Sequence, residues 1–195
     1  MDTQHFIALA MLLPLIGTVM IWMSGPRPNQ REVVTVVTAI LTFLCVLQVL
    51  PPVLAGENPT LIIANILPGL QFAFVVEPLG MMFALIASFL WIVTSFYAIG
   101  YMRGHNEPNQ TRFYMCFAIA ISSAIAVAFS GNMLTLFIAY EVLTLSTYPL
   151  VTHNQDEEAK RAGRTYLGIL LTSSIGLLLV AILWTWFAAG TLDFT

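Results

Sequence analysis

Glu141 is the side chain of this 195-residue chain best suited to proton chemistry. It is the only Asp, Glu, Lys, Arg or His in the apolar run Met133–Val151, which reads MLTLFIAYEVLTLSTYPLV. A helix rises 1.5 Å per residue, which would put Glu141 roughly 12–15 Å from either end. An acid at such depth in a bilayer costs roughly 2.5–3.5 kcal/mol on insertion scales, and it often marks a proton or ion route. We therefore predict that Glu141 carries a proton.

A structural role is the competing interpretation of Glu141. A buried glutamate that is held neutral or hydrogen-bonded would then only fix helix packing. A carrier differs in one respect: burial disfavours its charged form, so a change in a neighbouring charge loads or releases the proton. Proton translocation requires this behaviour.

Hydroxyl side chains accompany Glu141 in the predicted helices. Residues three, four and seven apart share a helix face, which puts two hydroxyls on the side of Glu141. Three serines lie near the midpoints of two neighbouring apolar runs. The candidate proton-path hydroxyls are Thr144, Tyr148, Ser122, Ser123 and Ser173. We predict that they form a polar layer that holds a few waters; alternatively, they only ease helix packing by bonding to backbone carbonyls.

The segment His153–Arg164, HNQDEEAKRAGR, follows this run directly and mixes three acids with three bases. His153 is a titratable residue that suits a relay at the cytoplasmic mouth of a proton path. The alternative is a solvated loop that caps the next helix.

The composition is that of an integral, multi-pass membrane protein. Hydrophobic residues make up 58% of the chain and charged residues 9%, whereas soluble domains carry about 25% charged residues. Only helices or closed barrels satisfy the backbone in lipid, and runs of 17–25 apolar residues favour helices. The sequence thus predicts an all-α membrane protein with about six transmembrane helices. The predicted spans are Phe6–Met23, Val33–Leu50, Leu79–Tyr101, Phe113–Phe129, Met133–Val151 and Thr165–Ala189.

All seven basic residues fall in the loops after the first, third and fifth predicted spans. They are Arg27, Arg31, Arg103, Arg112, Lys160, Arg161 and Arg164. The loops after the second and fourth spans hold Glu57 and Glu77 and no Lys or Arg. Positive charge in short loops favours the cytoplasm, so we predict that both chain ends lie outside. The expected location is the bacterial inner membrane.

The apolar stretch Thr60–Val76, TLIIANILPGLQFAFVV, is not expected to be a seventh span. A span here would put the basic loops on opposite sides of the membrane. Pro68-Gly69 marks a turn, and the flanking β-branched residues predict a short hairpin or an interfacial segment.

Cofactor, metal and nucleic-acid binding are not expected. Cys45 and Cys116 lie in separate apolar runs without metal-ligand spacing, which indicates small hydrophobic residues inside helices. The residues offer no quinone, flavin or iron–sulfur motif. Any redox chemistry would therefore belong to other subunits.

The run Asn132–His153, NMLTLFIAYEVLTLSTYPLVTH, resembles the fifth helix of the antiporter-like proton-channel subunits. That family includes large membrane subunits of respiratory complex I and subunits A and D of Mrp-type Na+/H+ antiporters, and the D type looks most similar. Phe74–Tyr101, in which VEPLG opens a helix, and Glu158–Ser174, EAKRAGRTYLGILLTSS, match neighbouring family segments in order.

The resemblance implies an antiporter-like fold whose fifth helix carries a functional glutamate, which by motif is Glu141. In the family this acid pairs with a lysine on a broken seventh helix, and an inverted five-helix repeat completes the channel. The single lysine of this chain, Lys160, lies in a loop. We therefore expect these residues to be the N-terminal portion of a longer subunit, forming a partial antiporter-like bundle.

Two regions are predicted. Residues 1–111 are expected to form a three-helix membrane region with an extracytoplasmic loop at 51–78. Residues 112–195 would begin the proton-channel repeat with three helices and leave it incomplete. The expected partners are other membrane subunits of a multisubunit antiporter or respiratory complex, the lipid bilayer, H+ and, in an exchanger, Na+.

The predicted function is proton or Na+/H+ translocation within such a complex. One alternative is a membrane-arm subunit of a quinone oxidoreductase or hydrogenase complex. The other is a truncated structural subunit with no transport of its own. Whether the assembly is an enzyme of the NADH:quinone oxidoreductase type is left open by the sequence.

Overall fold

A computed structural model describes residues 3–67 and 69–194 as a bundle of membrane-length helices. Within that part of the chain, six helical stretches are long and apolar enough to cross a membrane, so the prediction of an all-α membrane protein with six spans is confirmed. The first five are α1 (Thr3–Met23), α2 (Pro28–Leu54), α3 (Pro78–Gly104), α4 (Gln110–Ala128) and α5 (Met133–Val151). The sixth comprises α6 (Glu157–Ser173), a π-helical segment (Ser174–Leu179) and α7 (Val180–Ala189).

The helix starts follow local sequence rules. Proline occupies the first position of α2 and α3, where its missing N–H would have no helical partner. The side chain of Asn132 caps α5 by accepting from the Thr135 N–H at 2.9 Å. Asp156 caps α6 in the same way, accepting from the Ala159 N–H at 2.6 Å.

The apolar stretch between α2 and α3 is an antiparallel hairpin of β1 (Thr60–Leu67) and β2 (Leu70–Val75). Of the two predicted forms, hairpin or interfacial segment, the structure has the hairpin. Gly69 adopts φ +82°, a turn conformation that favours glycine; Pro68, the other predicted turn residue, lies outside the described residues. The hairpin is tied to the start of α5, because the Gly131 N–H donates to the Ala73 carbonyl at 3.0 Å.

The basic loops gather at one end of the bundle and the hairpin lies at the other. At the first end, Arg103 from α3 bonds Glu32 of α2, and Arg112 of α4 bonds the His153 carbonyl after α5. At the hairpin end, the segment after α7 forms a β-bridge between Asp193 and Asn132. This grouping agrees with the sorting of charge by loop, and the assignment of the basic end to the cytoplasm stays a prediction.

The buried core lies among α1 to α4, and the last span lies at its edge. Two apolar clusters fill the space between these four helices and the hairpin. Only 11% of the most apolar window of the sixth span is buried, against 39% for α1. The sixth span packs mainly on α5, and a Cβ on Gly163 would collide with the Thr152 side chain. Gly163 therefore permits the close approach of α6 to α5.

Candidate functional site

Glu141 faces the sixth span. On α5 it shares a face with Phe137, four residues earlier, and Tyr148, seven residues later. Phe137 packs on an apolar cluster that includes Ile182 of α7, whereas the ring of Tyr148 lies beside Gly163 of α6. Since Tyr148 lies beside α6 and Phe137 packs on a cluster that Ile182 shares with Leu70 and Leu192, we infer that Glu141 between them is directed toward the sixth span.

One of the two Glu141 carboxyl oxygens is shielded from solvent and receives no hydrogen bond from the described residues. The residue is half-buried, and its Oε1 atom is buried with no hydrogen-bond partner among the described residues. The ion pairs found in residues 3–67 and 69–194 do not involve Glu141. A buried oxygen that lacks a partner costs about 1–3 kcal/mol, and more when it is charged. This oxygen therefore has an unused capacity to accept a hydrogen bond.

Two predicted path residues share the Glu141 side of α5. Thr144 is 3% exposed, and its backbone carbonyl accepts from the Thr147 hydroxyl at 2.8 Å. Tyr148 is half-buried against α6. These two residues and Glu141 extend along α5 toward the basic end of the bundle.

The predicted serines of α4 lie elsewhere. Ser122 donates to the Met11 carbonyl of α1 at 2.6 Å, and Ser123 donates to the Ile119 carbonyl of its own helix at 2.9 Å. Both border a groove shared by α1, the hairpin and α5 on the side of Ala139 rather than Glu141. Their hydroxyls therefore bond in the manner that eases helix packing.

Neighbouring serines of the sixth span differ in burial. Ser173 is exposed, and its hydroxyl donates to the Leu170 carbonyl at 2.9 Å. Ser174 is 3% exposed and opens the π-helical segment. The sequence places both near midspan but contains no signal that the buried one is Ser174, since the π-helical turn that orients it is a tertiary feature.

His153 lies just beyond α5 at the basic end. Its ring meets Phe113 of α4 edge-on at 5.9 Å between centroids, and its side chain is 15% exposed. Its Nε2 atom lies 3.8 Å from a carboxylate oxygen of Glu107, which belongs to the loop between α3 and α4. Sequence reasoning missed Glu107, whose only signal is an acid in an otherwise basic loop.

No chain of side-chain hydrogen bonds links His153 to Glu141 among the residues that the structure describes. About 18 Å of helix separates the two residues along α5 at 1.5 Å per residue. Tyr148 and Thr144 lie in this interval on the Glu141 side. A proton moving between the two ends would need waters along that face.

Two family models match the chain. One, described as "NADH-Ubiquinone oxidoreductase (complex I), chain 5 N-terminus", matches residues 68–114. The other, described as "NADH:quinone oxidoreductase/Mrp antiporter, TM", matches residues 130–195, which include Glu141.

Similar proteins occur in antiporters and in respiratory complexes. Hydrogenase-4 component B of Escherichia coli is 28% identical over 136 residues, which cover 68% of this chain and 20% of that protein. The putative antiporter subunit mnhD2 of Staphylococcus epidermidis is 24% identical over 192 residues, covering 98% of this chain and 38% of that subunit. NAD(P)H-quinone oxidoreductase chain 5 of a Picosynechococcus species is 27% identical over 127 residues, covering 64% of this chain and 18% of the relative.

The fold also matches a solved structure. A chain of the membrane-bound sulfane sulfur reductase, an archaeal respiratory membrane complex, superposes with a TM-score of 0.82 at 20% identity. The match covers 96% of this chain and 38% of the other. The chain therefore spans well under half the length of the proteins that it resembles.

Proposed function

Because the chain belongs to the antiporter-like family of membrane subunits, we propose that it translocates protons as part of a multisubunit antiporter or proton-pumping complex, with Glu141 as the carrier. One observation carries the proposal. A carboxyl oxygen lies buried at the middle of a membrane span, without a partner among the described residues, on the face directed toward another span. Such an atom is costly to keep for packing alone.

The chemistry is a switch between the neutral acid and the carboxylate. Low-dielectric surroundings favour the protonated acid, whereas a cation within about 4–6 Å favours the carboxylate. The described Lys and Arg side chains lie at the basic end of the bundle, so a cation for Glu141 would come from another part of the assembly. Its approach would release the proton, and its withdrawal would load the acid again.

Protons would reach Glu141 from the basic end of the bundle. His153 and Glu107 form a half-buried acid–base pair there, and an imidazole exchanges protons readily near neutral pH. Waters beside Tyr148 and Thr144 would carry the proton along α5. In an exchanger, Na+ would move in the opposite direction through the complete assembly.

The test is Glu141→Gln in the complete assembly. The amide keeps the size and polarity of the side chain but removes the titratable proton. We expect proton transport, measured by a pH-sensitive dye in inverted membrane vesicles, to fall by at least about 100-fold, or roughly 2.7 kcal/mol of barrier. Glu158→Gln at the exposed start of α6 is the matched control and should leave transport unchanged. Transport near the wild-type rate in Glu141→Gln would exclude Glu141 as the carrier.

A second candidate function is supported by the names of the relatives. Hydrogenase-4 component B and NAD(P)H-quinone oxidoreductase chain 5 are named as parts of redox systems. In that case the same helices would form part of a membrane arm, and electron transfer in other subunits would drive proton translocation. Flavin and iron–sulfur absorption in the purified assembly would favour this function, whereas Na+/H+ exchange by an assembly without such absorption would favour the antiporter.

A further inference from the structure

A π-helical turn interrupts the sixth span near its middle. The six residues Ser174–Leu179 form π-helix between α6 and α7. Such turns are rare, and they frequently lie at functional sites. This one begins at Ser174, which is buried in a span that otherwise exposes most of its surface.

The turn aligns the buried residues of the span on one face. Gly163 and Ser174 are separated by slightly more than three α-helical turns and so lie on the same side. In an unbroken α-helix, Ser174 and Ile182 would lie about 80° apart around the axis, at 100° per residue. A π-helical turn contains one residue more than an α-helical turn. This extra residue reduces the angle between Ser174 and Ile182 around the axis to about 20°. Gly163, Ser174 and Ile182 are the residues of the sixth span that are buried.

This aligned face is directed at α5. Apart from α6 and α7, α5 is the element in substantial contact with the π-helical segment. The two helices run antiparallel, since Tyr148 near the end of α5 lies beside Gly163 near the start of α6, and Phe137 packs on the cluster of Ile182. Glu141 therefore lies level with the junction of α6 and the π-helical segment, where Ser174 is.

Both groups at this level lack a good hydrogen bond. The Glu141 Oε1 atom is buried without a partner among the described residues. The Ser174 hydroxyl lies 3.3 Å from the Leu171 carbonyl, longer than the usual 2.5–3.0 Å for an O–H donor. A hydroxyl held so weakly is free to turn toward a better partner, since it can both donate and accept.

We propose that Ser174 is a positioning residue for Glu141. Its hydroxyl accepts a hydrogen bond from the protonated acid and donates one to the carboxylate, directly or through one water. The π-helical turn serves to present this hydroxyl to α5. This proposal rests on the proposed role of Glu141 as the carrier.

The test compares Ser174→Ala, Ser174→Thr and the matched control Thr165→Ala in the complete assembly; the Thr165 hydroxyl is exposed on α6 and donates to the Arg161 carbonyl at 3.1 Å. The readout is the infrared carbonyl band that appears when Glu141 is protonated on lowering the pH, identified by its absence in Glu141→Gln. We expect Ser174→Ala to move this band to higher frequency, because the acid loses a hydrogen bond, and to slow proton transport by about tenfold. Ser174→Thr should retain both values, and Thr165→Ala should match the wild type.

The outcomes separate the two proposals. If Glu141→Gln transports normally, the carrier role itself is wrong. If Glu141→Gln is inactive while Ser174→Ala keeps the wild-type band and rate, the carrier role stands and the role of Ser174 is overturned. If Ser174→Ala destabilises the assembly, the band of the folded fraction still decides: an unshifted band contradicts the proposal.

Discussion

The carboxyl group of Glu141, in α5, and the imidazole of His153, just beyond the end of α5, lie in different surroundings. Glu141 is at midspan, and its buried oxygen lacks a partner within the part of the chain that the structure describes. His153 is at the basic end, 3.8 Å from a carboxylate of Glu107 and edge-on to Phe113. Both ring nitrogens of His153 are buried and, like the Glu141 oxygen, have no hydrogen-bond partner among the described residues. The two residues therefore differ in their depth along the bundle and in their neighbours rather than in shielding from water.

At the residue scale, we predict that His153→Gln slows proton transport without abolishing it. The amide removes the titratable ring at the mouth of the path, but water still reaches the end of α5. We expect a decrease of about tenfold, equivalent to ~1.4 kcal/mol of barrier. His105→Gln, an exposed histidine at the same end, is the control and should have no effect. An unchanged rate in His153→Gln would show that protons enter elsewhere.

At the scale of elements, the contact between α5 and the sixth span determines what surrounds Glu141. Gly163 permits the close approach of α6 to α5 at one end of this contact. Farther along, the π-helical turn keeps Ser174 and Ile182 on the side of the span that faces α5. The buried oxygen of Glu141 and the buried Ser174 side chain both belong to this pair of helices.

We predict that Gly163→Ala destabilises this contact. The added Cβ would collide with Thr152 and lie 3.1 Å from the Tyr148 ring. Such overpacking costs about 1–3 kcal/mol, which should lower the thermal unfolding temperature of the solubilised assembly. Gly168→Ala in the same helix meets open space and should be neutral or slightly stabilising, since alanine favours helix. Equal stability of the two variants would contradict the packing argument.

At the scale of the whole molecule, charge is concentrated at one end and links several helices there. Glu32 is 5% exposed and pairs with Arg31 at 3.6 Å and with Arg103 of α3, whose Nε donates at 2.9 Å. Arg31 in turn donates to Gln110 at 2.7 Å and lies over the Tyr114 ring at 5.3 Å. These contacts join α2, α3 and α4 on the side away from the hairpin.

We predict that Glu32→Gln is strongly destabilising. The variant removes the buried carboxylate that pairs with the buried Arg31 and with Arg103, whose side chain is 48% exposed, so we expect a clear fall in the unfolding temperature. The measurement is the thermal unfolding of the assembly at constant detergent. Glu57→Gln, in the exposed loop before the hairpin, should change stability by less than about 0.5 kcal/mol. A loss of similar size in both variants would mean that the network is not a structural support.

Two predictions about the whole molecule remain, namely its division into two regions and its orientation in the membrane. Coverage of at most 38% of the relatives' length leaves the division into regions 1–111 and 112–195 as a prediction. The orientation, with the basic end in the cytoplasm, is a prediction of the same kind. Labelling of single cysteines introduced at Asn58 and Asn154, in loops at opposite ends, would decide it.

The sequence by itself determined the six spans and the isolation of Glu141, because span length and the cost of a buried charge depend on composition along the chain. For the stretch before α3, the sequence allowed either a hairpin or an interfacial segment. In the folded chain this stretch is a hairpin, and its Ala73 carbonyl accepts a hydrogen bond from the Gly131 N–H. Only the tertiary structure decided that Ser174 rather than Ser173 is buried and that Ser122 bonds α1. The physical reason is that a side chain's direction depends on helix rotation and on the neighbouring helix, which spacing within one helix does not encode.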